Sequence, residues 1–212
     1  MAIKFKNISG KAKKSSVEAY TYKEGDNVVR MVGDVLPRYV YWMTTTDGKR
    51  VPMECLGFDR AEERFTNIEK DWVRHYFPEM KCSWAYAVQI IDPADGKVKI
   101  MNLKKKLFES ILIAAEDLGD PTDAEEGWDI NFKKIKTGPL PFNVEYQLQV
   151  LRCKARTLTD DEKALTSELP DIDGIIKRPD STTQKEFIEQ NILENSSEEV
   201  PTEVSEEISE LL

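Results

Sequence analysis

Aromatic and basic side chains are interleaved in several short stretches of this 212-residue chain. They are Arg38-Tyr39-Val40-Tyr41-Trp42, Trp84-Ala85-Tyr86, and Trp128 through Phe132 to Lys133, Lys134 and Lys136. Single-stranded nucleic acid needs that mixture. Unstacked bases offer flat π faces to exposed aromatics, worth ~1–3 kcal/mol per base by truncation, while Lys and Arg follow the phosphates. Arg30, Lys49, Arg50, Tyr146 and Arg152 lie in or beside the same predicted strands and complete the expected contact set. Lys104-Lys105-Lys106 joins it for a separate reason. Three cations just before a predicted helix oppose the helix macrodipole, a mild cost that a phosphate contact would explain. Large aromatics also dominate core packing. Period-2 alternation keeps Tyr39 and Tyr41 off the face that carries Trp42, so one set is core and the other exposed.

Other chemistries find little support. His75 is the one histidine, which removes most acid–base and triad mechanisms. No Gly-x-Gly-x-x-Gly or Walker pattern is present. Cys55, His75, Cys82 and Cys153 supply four zinc-ligand types but no Cys-x2-Cys pair, so neither a metal nor any other cofactor is expected. Asp117, Asp120, Asp123, Glu125, Glu126 and Asp129 cluster in a Gly/Pro/Asp-rich stretch, where loop solvation and N-capping account for them better than a metal nuclease does. The chain is not expected to be an enzyme.

The elements that must position these residues read as mainly β with inserted helices. Residues 28–32 and 39–45 are rich in β-branched and aromatic types, and Asp47-Gly48 turns the second of them into 50–58. Residues 84–91 and 97–102 flank Asp92-Pro-Ala-Asp-Gly96 as a second hairpin. Strands are also expected over 128–135 and 144–153. Phe65, Ile68, Trp72 and Tyr76 recur at helical spacing, predicting a helix over 60–77 that ends at Pro78. Leu107, Ile111, Ala114, Ala115 and Leu118 predict another, ending at Gly119. Thr159 followed by Glu162 is a capping-box signal, and Ser181 or Thr182 is placed to cap a further helix. The expected fold is an OB-fold-like antiparallel barrel with helical insertions.

Charge divides the chain differently. Residues 158–212 carry 4 basic and 16 acidic side chains, leaving 26 basic and 23 acidic for residues 1–157. The last 27 residues hold nine Glu and no Lys or Arg, and eighteen of the nineteen aromatics precede residue 158. The expected organisation is a basic N-terminal arm (1–27), a single-strand-binding core (28–157), a helical linker segment (158–195) and an acidic, disordered tail (196–212). Glu198, Glu199, Glu203, Glu206, Glu207, Glu210, Leu211 and Leu212 would recruit protein partners through the tail and compete with nucleic acid for the body. Three cysteines without paired spacing, and no charged-then-apolar leader at Met1, argue for a reduced, cytoplasmic setting. No apolar run exceeds the length of residues 111–115, which is far too short to span a bilayer. The competing reading is a replisome or recombination adaptor whose barrel is structural and whose tail does the binding.

Two stretches carry a family resemblance. Residues 29–55 contain Val-Arg-Met-Val-Gly-Asp, then Tyr-Val-Tyr-Trp, then Val-Pro-Met-Glu-Cys. Residues 119–138, from Gly-Asp-Pro-Thr-Asp through Gly-Trp-Asp-Ile-Asn-Phe to Lys-Thr-Gly, are followed by Phe-Asn-Val-Glu-Tyr146. Over residues 28–153 the chain resembles the single-stranded DNA-binding, helix-destabilising proteins of T-even-type phages. The resemblance implies an OB-type fold that coats and protects single strands in phage replication, recombination and repair, without catalysis and in the host-cell cytoplasm. It also implies cooperative self-association through the basic arm. In that family a short Lys/Arg then Ser/Thr motif does this, and Lys11-Ala12-Lys13-Lys14-Ser15-Ser16 is similar to it, farther from the N-terminus than usual. The family's zinc-binding Cys/His segment is replaced by Phe58-Asp-Arg-Ala-Glu-Glu-Arg-Phe65 and the predicted helix, which implies that packing replaces the metal.

Overall fold

The computed structural model describes residues 17–140, 143–167 and 169–193. In chain order its strands are β1 (Glu18–Ala19), β2 (Gly25–Leu36), β3 (Tyr39–Thr44), β4 (Arg50–Glu54), β5 (Phe58–Asp59), β6 (Arg64–Phe65), β7 (Ser83–Trp84), β8 (Ala87–Asp92), β9 (Lys97–Asn102), β10 (Asp129–Lys136) and β11 (Val144–Leu148). The helices are α1 (Trp72–Tyr76), α2 (Lys105–Leu118), α3 (Asp160–Ser167), α4 (Ile172–Ile175) and α5 (Ser181–Ile188). Among the described residues they form two compact units, each discontinuous in sequence: residues 17–38 with 84–178, and residues 39–83 with 179–193.

The first unit is built on a six-stranded mixed sheet in the order β1-β9-β8-β2-β10-β11. Its pairs are antiparallel except β1 with β9, and it is open, with β1 and β11 at its ends. The expected closed, all-antiparallel barrel is therefore corrected to an open mixed sheet. Strand β2 is long enough to serve two partners. Its first half pairs with β10 and its second half with β8, and the register shifts between Val32 and Val35. Gly33 sits in that bulge at φ +68°, a left-handed conformation that glycine adopts without a Cβ penalty. Val32, Ile91 and Leu158 form one apolar cluster, and Leu36, Ala87, Ile100 and Ile172 another. Helix α2 buries Leu107, Ile111 and Ala114, the stripe its sequence predicts, and ends at Gly119 (φ +81°). The hairpin at residues 92–96 is also present, with β8 and β9 in register from Ala87↔Asn102 to Asp92↔Lys97.

An ionic cluster anchored on buried Arg30, with half-buried partners, ties elements of this unit together. The Arg30 guanidinium, 1% exposed, donates to the carbonyls of Asp123 and Arg156. Arg156 in turn donates to Asp129 at 2.7 Å and to both Glu162 oxygens at 2.7 and 2.8 Å. Glu162 completes the predicted capping box, accepting from the Thr159 N–H at 2.8 Å while its own N–H donates to Thr159 Oγ1. These contacts pull the Glu162 carboxyl down to about 2, chiefly through the Arg156 hydrogen bonds. Trp128, fully buried, donates its indole N–H to the Gly119 carbonyl at 2.9 Å.

The second unit centres on the predicted hairpin of β3 and β4, paired from Val40↔Glu54 to Thr44↔Arg50, with Gly48 at φ +79° in the turn. Tyr41, Met43, Met53, Cys55, Phe58, Val73 and Ile188 form its core. The helix expected over 60–77 is mostly absent. Phe58 and Phe65 instead face each other across the short β5–β6 pair, Glu63 and Asn67 adopt positive φ, and only Trp72–Tyr76 is helical. Asp71 caps that turn by accepting from the Arg74 N–H. Asp180 rather than Ser181 or Thr182 caps α5, accepting from the Thr183 N–H at 2.7 Å. Buried Gln184 ties the unit together, accepting from the Trp72 N–H and donating to the Glu54 carbonyl.

Candidate nucleic-acid interface

In the first unit the sheet itself makes the site. Along β10, Ile130, Phe132, Lys134 and Lys136 share one face, and the cross-strand partners of the last three on β11 are Leu148, Tyr146 and Val144. This face is buried at Ile130 and Phe132 and opens to solvent toward Lys136. Neither strand places an acid on it, because Glu145 alternates to the other side. An apolar floor thus runs out into a rim of Lys134, Lys136 and Tyr146.

The segment before β2 supplies the rest. Tyr20 N–H donates to the Ile100 carbonyl, laying residues 18–22 beside β9. Buried Asn27 holds the return. It accepts from Tyr20 Oη at 2.8 Å and the Lys23 N–H at 3.0 Å, and it donates to the carbonyls of Lys23 and Gly25. Tyr22 is thereby fixed over the rim, its hydroxyl donating to the Asn102 carbonyl at 2.8 Å. Its ring lies 5.3 Å from Tyr20, 5.7 Å from Phe132 and 5.0 Å from Tyr146, all edge-to-face. Lys104 Nζ sits 5.2 Å from the Tyr22 centroid and 6.0 Å from that of Tyr146, within cation–π range. Lys134 Nζ donates to the Tyr22 carbonyl at 3.3 Å. Burial, and then the charge of Lys134, lower the Lys104 pKa, while burial raises those of Tyr22 and Tyr146. Lys104 takes the N-cap position of α2 with no side-chain capping bond, so the run Lys104-Lys105-Lys106 does open that helix. On the same first turn, Phe108 meets Trp84 and Tyr86, which are stacked with centroids 4.4 Å apart. Arg38 donates to the carbonyl of Ala85 and to Asn102 Oδ1.

The second unit presents a separate surface. Alternation along β3 buries Tyr41 and Met43 and exposes Trp42 and Thr44, and β4 exposes Arg50 and Pro52. Trp42 is 46% exposed, and the Arg50 guanidinium lies 5.3 Å from its ring centroid. This is a stacking platform with a cation already beside it. Tyr39, half-buried, packs with Phe58 and Phe65. Lys49 pairs with Asp47 in the turn.

The expected contact residues therefore divide. Arg30, Tyr41, Tyr86, Trp128 and Phe132 are buried, and packing or internal hydrogen bonds account for them. In this conformation those five side chains are withdrawn from the surface. Arg38, Tyr39, Trp84, Lys104, Lys134 and Tyr146 are half-buried, and Trp42, Lys49, Arg50, Lys105, Lys106, Lys133, Lys136 and Arg152 are exposed. Arg152 pairs with Asp26 at 3.6 Å. Sequence reasoning missed Tyr20 and Tyr22, although Tyr20-Thr-Tyr22-Lys23 repeats the aromatic–basic interleaving found elsewhere. Lys11, Lys13, Lys14, Ser15, Ser16 and the tail residues from Glu198 to Leu212 lie outside the described residues. Among the described residues no three His, Cys, Asp or Glu side chains are gathered as a metal-holding group. No helix among them is long and apolar enough to cross a membrane.

Comparison with known proteins gives one informative relative. The chain is 32% identical over 147 residues to a protein of Escherichia phage T5 named "Probable ssDNA-binding protein", covering 63% of this chain and 54% of that protein. The chain thus spans about half the length of that relative. No family model matches the chain. No solved structure matches it. That relative comes from phage T5 rather than from a T-even phage.

Proposed function

We propose that this chain binds single-stranded DNA without strong sequence preference and does so without catalysis, as a coating protein of a phage. The observation that carries the reading is the pairing of exposed or half-buried aromatic rings with cations on both units. Tyr22 and Tyr146 stand with Lys104 and Lys134 in the first unit, and Trp42 stands with Arg50 in the second. Stacking on such rings tolerates any base, and the cations neutralise the backbone. The named activity of the T5 relative supports the same reading.

Narrower parts of the reading rest on the sequence. The T-even likeness and an OB-type ancestry for the sheet are carried by residues 28–153. Roles in replication, recombination and repair in the host cytoplasm follow from that likeness, as does self-association through Lys11–Ser16. The division into arm, core, linker and tail follows composition. The acidic tail, with Glu198 to Glu210 and Leu211-Leu212, is proposed to recruit protein partners and to compete with the strand for the body. Fluorescence titration of the full chain with poly(dT) and with duplex DNA of equal nucleotide content tests the reading. Poly(dT) is expected to bind far more tightly at moderate salt. Equal affinity for the duplex, or no binding of poly(dT), would overturn it.

A further inference from the structure

The geometry points to a single phosphoryl group being held jointly by Lys104 and Lys134 at the rim of the Tyr22–Tyr146 pair. The inference rests on the single-strand reading and assigns one point on the strand's path. Both ammonium groups approach the same two tyrosines. Lys104 Nζ lies over the rings of Tyr22 and Tyr146, while Lys134 Nζ reaches the Tyr22 carbonyl and its residue is the cross-strand partner of Tyr146. Among the described residues neither amine pairs with a carboxylate, and the β10–β11 face around them carries none. Two half-buried ammonium groups thus meet the same tyrosine pair without a carboxylate partner, an arrangement that costs stability unless an anion joins them. Burial first, and then the Lys134 charge, lower the pKa of Lys104. Each ammonium carries three donors, and Lys134 spends one on Tyr22, so donors remain for the oxygens of one tetrahedral phosphoryl group. An oxyanion between the two amines would also leave the tyrosine rings beside it for the adjoining base.

The phosphoryl group could belong to a strand or be free, and two arms separate these sources. In the first, the salt dependence of poly(dT) binding is measured for the unaltered chain, Lys104→Met, Lys134→Met and the double variant, with Lys177→Met as a surface control. One shared phosphate predicts that the log–log slope falls by about 0.7 in the double variant, no more than for the loss of a single contact. A fall of about 1.4 would mean two separate phosphates, and no change would mean none; either result overturns the inference. If the unaltered chain fails to bind poly(dT), the single-strand reading itself falls. In the second arm, the lysine side-chain NMR signals of the unaltered chain are followed during addition of inorganic phosphate, pyrophosphate or a short oligo(dT). This arm needs no variant to fold. A rise in the Lys104 ionisation midpoint with all three probes supports a general phosphoryl site, and a rise with the oligonucleotide alone supports a strand-backbone site. No movement with any probe overturns the proposal.

Discussion

Replacing Trp42 by Ala should separate binding from folding. Trp42 is 46% exposed on the outer face of the β3–β4 hairpin, and its ring meets the Arg50 guanidinium. The apolar core of that unit lies on the opposite face, in Tyr41, Met43 and Met53. Truncation therefore opens no cavity, and the expected cost to stability is that of a lost exposed cation–π contact, ~0.5–1 kcal/mol. Loss of a stacking platform is expected to cost ~1–3 kcal/mol of binding, which is about 5- to 150-fold in affinity. Fluorescence anisotropy with a labelled 30-mer of dT at fixed salt measures the loss of affinity, and urea unfolding of the same protein without DNA measures the loss of stability. Trp42→Phe should recover most of the affinity because the ring, not the indole N–H, does the stacking. Unchanged affinity in Trp42→Ala, with a folded protein, would refute the assignment of this face. The same change at fully buried Trp128 makes a useful contrast, with an expected destabilisation of ~3–5 kcal/mol.

The Glu162 carboxyl is held down to about 2 by Arg156, so its stabilisation should be complete above about pH 4.5 and fade as pH falls towards 2. Thermal midpoints from pH 6 to pH 3 should fall less steeply in Glu162→Gln than in the unaltered chain, and parallel curves would contradict this. Asn27→Ala removes the side chain that holds Tyr20, Lys23 and Gly25 in place. Unfolding by urea should show a loss of ~1–3 kcal/mol for the polar groups left unpaired, together with weaker poly(dT) binding as Tyr22 loses its position. Normal binding in a destabilised variant would separate Tyr22 from the site. Gly33→Val places a β-branched residue at φ +68° with Gln89 Oε1 only 3.3 Å from the new Cβ, and should destabilise by at least ~1–2 kcal/mol in the same assay.

Local signals in the sequence carried far. Asp47-Gly48 and Asp92 to Gly96 specify their turns through residues that tolerate positive φ, and Thr159 with Glu162 specifies a helix start through two reciprocal hydrogen bonds. The stripe on α2 was legible because five apolar residues agree on one face. The stripe from Phe65 to Tyr76 misled because three- and four-residue spacing also arises when one aromatic ends a strand and the next begins a helix. There Phe65 pairs with Phe58, and the helix starts only at Trp72. Closure of the sheet was not legible, since no local pattern says that β1 joins β9 in parallel while β11 stays at the edge. At the site, alternation correctly separated Tyr41 from Trp42, but it could not show that Arg30 is consumed by the carbonyls of Asp123 and Arg156. Those partners are about a hundred residues away. Tyr22 was not legible because its place is set by Asn27, five residues on, which accepts from the Lys23 N–H and donates to the Lys23 carbonyl.

The most direct test of the account is photo-crosslinking of the full chain to an oligo(dT) carrying 5-iodouracil, with the modified peptides identified by mass spectrometry. Rings that reach solvent and are backed by cations should take the label, so adducts are expected on exposed Trp42 and on half-buried Tyr22 or Tyr146, and an excess of unlabelled poly(dT) should suppress them. Adducts confined to peptides without these residues would contradict the central claim.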